Sequence, residues 1–104
     1  MRAVITGATS GIGKAMACQL AQNGWSLVLT GRNQTVLEQL QKNLPTAVEI
    51  LPLDLAEEEA PYQLFDFCKK KRVDLLVNNA GFGIFGRFTE TNLQEEMDLL
   101  AVNV

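Results

Sequence analysis

The residues best suited to chemistry stand near the start of the chain, in Thr6-Gly7-Ala8-Thr9-Ser10-Gly11-Ile12-Gly13. They follow a short apolar run and precede a helical repeat, the context that a phosphate-binding loop requires. A turn this tight needs residues that tolerate positive φ and present no side chain. Gly7 can turn the chain out of the strand. Gly11 lets the backbone approach a pyrophosphate, and Gly13 lets the helix pack closely on the strand. The helix start offers free N–H groups and a partial positive charge to phosphate oxygens. Thr9 and Ser10 add hydroxyls. The glycine spacing is G-x-x-x-G-x-G, not the G-x-G-x-x-G of the general dinucleotide fingerprint.

Three further groups extend this chemistry. Gly31-Arg32 follows the second apolar run, where a dinucleotide site meets the adenosine ribose. A carboxylate there accepts from the 2′-hydroxyl of NAD, whereas an arginine favours the 2′-phosphate of NADP. No Asp or Glu occupies the spot, and Arg32 can clamp a phosphate with two charge-assisted bonds. The sequence therefore predicts NADP(H) preferred over NAD(H). Asp54, after the third apolar run, can cap a helix or accept a hydrogen bond from an adenine amino group. Asn78-Asn79-Ala80-Gly81 ends the fourth run. Its amides can hold a strand end, and Ala80 and Gly81 would let a ligand come close; an ordinary strand-ending turn is an equal reading.

To position these groups the chain must alternate strand and helix. Strands are expected at 3–6, 25–30, 47–51 and 73–77, with helices at 11–23 and 34–43. Asn23-Gly24 and Pro45 are the stops. Asp54-Leu55-Ala56-Glu57 reads as a capping box for a third helix that runs to the basic stretch at 69–72. Asn92 is a plausible cap for a fourth helix from Leu93 onward. Near-continuous apolar strands joined by helices argue an α/β fold, a parallel sheet covered on both faces.

Composition narrows the function classes. Of the 104 residues, 47% are hydrophobic and 20% charged, which excludes a disordered tail or a disulfide scaffold. No apolar run is long enough to span a membrane. A net charge of −3 leaves no footprint for nucleic acid. The chain has no His, which removes His-based catalysis and most zinc chemistry, and no metal site is expected. Cys18 and Cys68 form no CxxC pair and read as buried free thiols of a reducing, cytoplasmic compartment.

Taken together, the Thr6–Gly13 turn, Asp54 after the third strand and Asn78-Asn79-Ala80-Gly81 after the fourth resemble a short-chain dehydrogenase/reductase, over residues 2–104. The resemblance implies a Rossmann-type, doubly wound parallel sheet of strand order 3-2-1-4, one NAD(P)-binding domain over 1–104. It implies that Thr9, Ser10 and Ile12 line the pyrophosphate, that Asp54 and Leu55 meet the adenine, and that Asn79-Ala80-Gly81 contact a ribose. Arg32 is similar to the NADP-preferring members. Ala101-Val102-Asn103-Val104 is similar to a helical segment whose Asn serves the family's proton relay, which makes Asn103 a candidate catalytic residue. A small carbonyl or alcohol substrate and a homo-oligomer are likewise implied.

That family's chemistry needs a Ser and a Tyr-x-x-x-Lys pair, with Tyr and Lys on one helix face. The one tyrosine, Tyr62, is followed four residues later by Asp66 and reads as a helix-face packing residue. A fourth strand left as an apolar edge would be unprotected, so the expectation is a sheet truncated after its fourth βα unit. A non-catalytic NADP-binding or interaction module, natural at this length, is the alternative. An epimerase or dehydratase of the extended branch fits the Gly11-Ile12-Gly13 and Asn78–Gly81 pattern less well.

Overall fold

A computed structural model describes residues 1–79 and, in their backbone, residues 100–103. Alternation of apolar side chains decides which way each strand faces. In β1 (Arg2–Thr6), Ala3 and Ile5 join one buried cluster and Val4 the other. In β2 (Ser26–Gly31), Leu27 and Leu29 lie with Ile5, and Val28 with Val4. Helices α1 (Gly11–Gln22) and α2 (Gln34–Asn43) cover the first face through Ala17, Ala21, Leu37 and Leu40. Helix α3 (Ala60–Cys68) covers the second through Ala60, Leu64 and Cys68. Each large side chain so buried contributes about 1.5–3 kcal/mol.

With β3 (Val48–Pro52), β4 (Leu75–Asn78) and β5 (Leu100–Asn103), the sheet runs β3-β2-β1-β4-β5, and every pairing is parallel. The doubly wound sheet of order 3-2-1-4 is therefore present. The chain crosses from β1 to β2 on one side and returns to β4 on the other. That reversal opens a crevice at the carboxyl ends of the strands, where ligands of such sheets bind.

Three sequence expectations need correction. Asp54 does not cap a helix. Its Oδ1 accepts from the Ala56 N–H at 3.0 Å and its carbonyl from the Glu57 N–H at 2.9 Å, which closes a turn, and α3 begins only at Ala60. Pro61 explains the delay. A helix started at 55 would hold proline in its interior at a cost of about 3 kcal/mol, whereas in the first turn its missing N–H is harmless. Asn103 lies on strand β5, in register with Asn78, and not on a helix. The alternating Leu100 and Val102 suit a strand, and β5 covers the edge of β4 that would otherwise be an unpaired apolar strand. Tyr62 is 54% exposed, so it is no buried packing residue of α3. The expected helix start at Leu93, its cap Asn92, and Ala80 and Gly81 lie outside the described residues.

At the opposite end of the sheet, Asp74 ties β1 to the approach of β4. Its Oδ2 accepts from the Arg2 N–H at 2.9 Å and its Oδ1 from Arg72 Nε at 3.2 Å. The Arg2 N–H, followed by the Arg72 guanidinium, holds this carboxyl below its usual range. A folded-state pKa that is lowered gives stability that is present above the unfolded value of ~3.9 and lost as pH falls through the folded one. Wild type should thus exceed Asp74→Asn in stability by a constant margin near neutrality, and the margin should shrink below about pH 4. Denaturant unfolding at a series of pH values checks this; a margin unchanged down to pH 2 would contradict it.

Candidate functional site

The site is built on the turn between β1 and α1. Gly7 leaves the strand at φ 62, in the left-handed region that glycine tolerates. Its carbonyl then becomes the hub of the turn. It accepts from the Ser10 N–H at 3.1 Å, from Ser10 Oγ at 2.9 Å and from Asn79 Nδ2 at 3.0 Å. Ser10 Oγ in turn accepts from the Gly13 N–H at 3.1 Å, as the N-cap of α1, and from Asn79 Nδ2 at 2.6 Å. A hydroxyl has one proton and two lone pairs, and all three are used within the protein. Ser10 therefore shapes the turn, and of the two expected hydroxyl donors only Thr9 keeps its hydroxyl free of described partners.

Asn79 brings the end of β4 to the glycine turn across a sequence separation of 72 residues. One position earlier, Asn78 is buried and its Oδ1 accepts from Thr6 Oγ1 at 3.2 Å. The two amides thus lock β4 to β1 and to the turn. Spacing along the chain shows the two segments but not their contact.

Gly13 and Gly11 differ sharply. A Cβ at Gly13 would stand 2.2 Å from the Gly7 carbonyl oxygen and 2.9 Å from Ala8 Cα. The close packing of α1 on the turn leaves room only for hydrogen. A Cβ at Gly11 would meet none of the described residues within 4 Å. Among the described residues the backbone here is bare, and the Thr9, Gly11 and Ile12 N–H groups have no hydrogen-bond partner there. Donors without acceptors, at the positive end of a helix, suit an anion.

Beside the turn lies a cleft of about 320 Å³. Gly7, Thr9 and Ser10 form one wall, Gly31 and Arg32 the second, and Leu53, Asp54, Leu55 and Ala56 the third. Two backbone bonds fix these walls: the Ala8 N–H donates to the Thr30 carbonyl and the Leu53 N–H to the Gly31 carbonyl, each at 3.0 Å. Thr9 and Arg32 also border an open recess of about 620 Å³ with Asn33 and Gln34. Asn33 caps α2 through the Val36 N–H at 3.2 Å. Arg32 is exposed and forms neither ion pair nor hydrogen bond among the described residues. Leu53 and Ala56 carry no site signal of their own in the sequence, and adjacency to Asp54 and Leu55 is the signal that could have found them.

The cysteines stand apart from this cleft. Cys68, at the end of α3, is buried against the sheet, burial pushes its thiol up to about 11, and it stays protonated near neutrality; Cys18 is only half-buried. Among the described residues no group of three His, Cys, Asp or Glu side chains could hold a metal, and no helix is long and apolar enough to cross a membrane.

A parallel α/β sheet with a glycine turn at its switch point and donors exposed at a helix start is the architecture common to dinucleotide-binding domains. The comparison with known proteins carries this further. A family model for short chain dehydrogenase matches residues 1–104, and the chain belongs to that family. It is 33% identical over 107 residues to an uncharacterised oxidoreductase of Staphylococcus epidermidis, covering 98% of this chain and 45% of that protein. The chain thus spans a little under half the length of that relative. Among solved structures, a 3-ketoacyl-(acyl-carrier-protein) reductase of Brucella melitensis in complex with NADH shares 33% identity at a TM-score of 0.69, covering 79% of this chain and 34% of that one. A short-chain dehydrogenase of Sphingobium yanoikuyae in complex with NADPH shares 34% at 0.69, covering 78% and 34%.

Proposed function

We propose that the chain is the cofactor-binding part of an NADP(H)-dependent oxidoreductase that interconverts a small carbonyl compound and its alcohol. The observation that carries the NADP(H) preference is Arg32, a cation unpaired among the described residues, at the rim of the cleft with no carboxylate beside it at the end of β2. The Thr9, Gly11 and Ile12 N–H groups fit a pyrophosphate, and Asp54 and Leu55 on the third wall fit an adenine. Asp54 commits one carboxylate oxygen to Ala56 and retains the other. Asn79 acts on the cofactor by holding the turn, through Gly7 and Ser10, with Ala80 and Gly81 assigned to the ribose by family likeness. When bound, the nicotinamide supplies or accepts a hydride. The protein's described residues bind, orient and hold the phosphates, and Tyr62 with Asp66 four positions on does not form the Tyr-x-x-x-Lys pair of the family. Asn103 keeps its assignment to the proton relay by likeness alone. A homo-oligomer in the cytoplasm belongs to the same reading.

Fluorescence titration with NADPH and NADH tests the cofactor assignment. The expected result is at least tenfold tighter binding of NADPH, since hydrogen bonds to a charged partner contribute ~1.5–3 kcal/mol. Equal affinities would refute it.

A further inference from the structure

Gly31 sits where β2 ends and the cleft begins, and its missing side chain is filled by a neighbour. A Cβ at this position would lie 3.1 Å from Thr9 Cγ2 and 3.2 Å from Thr9 Oγ1, with Thr9 N at 3.6 Å. Contacts this short oblige one side to move. Gly31 cannot, because its carbonyl accepts from Leu53 and the Thr30 carbonyl before it accepts from Ala8. Thr9 can: it lies on the turn, half-buried, with its own N–H and hydroxyl free of partners among the described residues. Thr9 is also the turn residue that borders both the cleft and the recess, as Arg32 does from the other side.

From this geometry we propose that Gly31 and Thr9 form a steric couple that sets the gap between the glycine turn and Arg32. That gap governs how well a 2′-phosphorylated adenosine is held relative to an unphosphorylated one. A side chain at position 31 pushes Thr9 off β2 and spoils the gap; a smaller residue at position 9 restores it. A carboxylate cannot simply be introduced at position 31 to favour NAD(H), because Thr9 occupies the space. The inference rests on the NADP(H) reading and names a specificity-determining pair within it.

The test is a double-mutant cycle on Gly31→Ala, Thr9→Ala and the double variant, titrated with NADPH and with NADH. Gly31→Ala should weaken NADPH binding about tenfold, as overpacking a fixed site does, and NADH binding about threefold at most. In the Thr9→Ala background the same change should have little effect, a departure from additivity that only interacting residues show. In a Thr9→Val background, where the branched shape stays and the hydroxyl is gone, the tenfold loss should return. Thermal unfolding without cofactor gives a second readout: Gly31→Ala should lower Tm, and Thr9→Ala should recover it. Equal losses in all backgrounds, no loss, or failure of the double variant to fold would each overturn the couple. Absence of any NADPH preference in wild type would overturn the cofactor reading and the inference with it. Preference intact in both wild type and Gly31→Ala would overturn the inference alone.

Discussion

Gly13→Ala should destabilise the protein by about 3 kcal/mol and abolish cofactor binding, while Gly11→Ala, two residues away, should leave stability unchanged or slightly raised. Both glycines lie in the first turn of α1. Helix propensity favours alanine over glycine at either position by up to ~1 kcal/mol. At Gly13 that gain is outweighed, because the new methyl would face Gly7 O at 2.2 Å and Ala8 Cα at 2.9 Å. These are backbone atoms of a turn already held by three hydrogen bonds to one carbonyl. No side-chain rotation relieves the clash, so α1 must lift or the turn must open. For a domain of this size the expected fall in Tm is roughly 15 °C.

At Gly11 no described residue lies within 4 Å, and the propensity gain stands alone. The cost appears only with ligand, since the methyl fills the space through which phosphate oxygens would reach the Gly11 and Ile12 N–H groups. Calorimetry with and without NADPH separates the two glycines. A stable, binding-competent Gly13→Ala protein would refute the packing argument; unimpaired binding by Gly11→Ala would refute the placement of the pyrophosphate.

Arg32→Ala should weaken NADPH binding by about ten- to a hundredfold and change NADH binding by no more than about twofold. Replacing charge-assisted bonds to a phosphate forfeits ~1.5–3 kcal/mol. Arg32 has no partner among the described residues, so its removal orphans no carboxylate there and should not alter stability. Exposure makes the interaction sensitive to salt, and the NADPH preference of wild type should therefore narrow as ionic strength rises. Arg32→Lys should keep part of the preference, since an ammonium supplies charge without the planar fork. Titrations of both cofactors at two salt concentrations measure all of this. An equal loss for NADPH and NADH would place Arg32 away from the 2′ position.

Much of the fold was legible in local pattern. The near-continuous apolar runs of β1 and β2 announced strands buried on both faces, and Asn23-Gly24 announced the end of α1, where Gly24 adopts φ 85. Gly7, Gly11 and Gly13 could be given separate tasks from spacing alone. Two local signals were outweighed by others. Asp54 and Glu57 suggested a helix start, but Pro61 shifted it to Ala60. Residues 100–103 matched a helical segment by likeness, yet they form β5 because the apolar edge of β4 accepts a strand there.

The order of strands and helices, the glycine turn and the cation after β2 were determined by the sequence itself. Steric limits on φ and ψ and the period of apolar residues act over a few neighbours. Tertiary structure alone decided that Asn79 grips Gly7 and Ser10, that the Ser10 hydroxyl is used up inside the turn, and that Thr9 fills the place of a side chain at Gly31. The contacts of Asn79 with Gly7 and Ser10, and of Thr9 with Gly31, join segments between 22 and 72 residues apart. Their partners are chosen by how β1, β2 and β4 lie side by side, which no local pattern specifies.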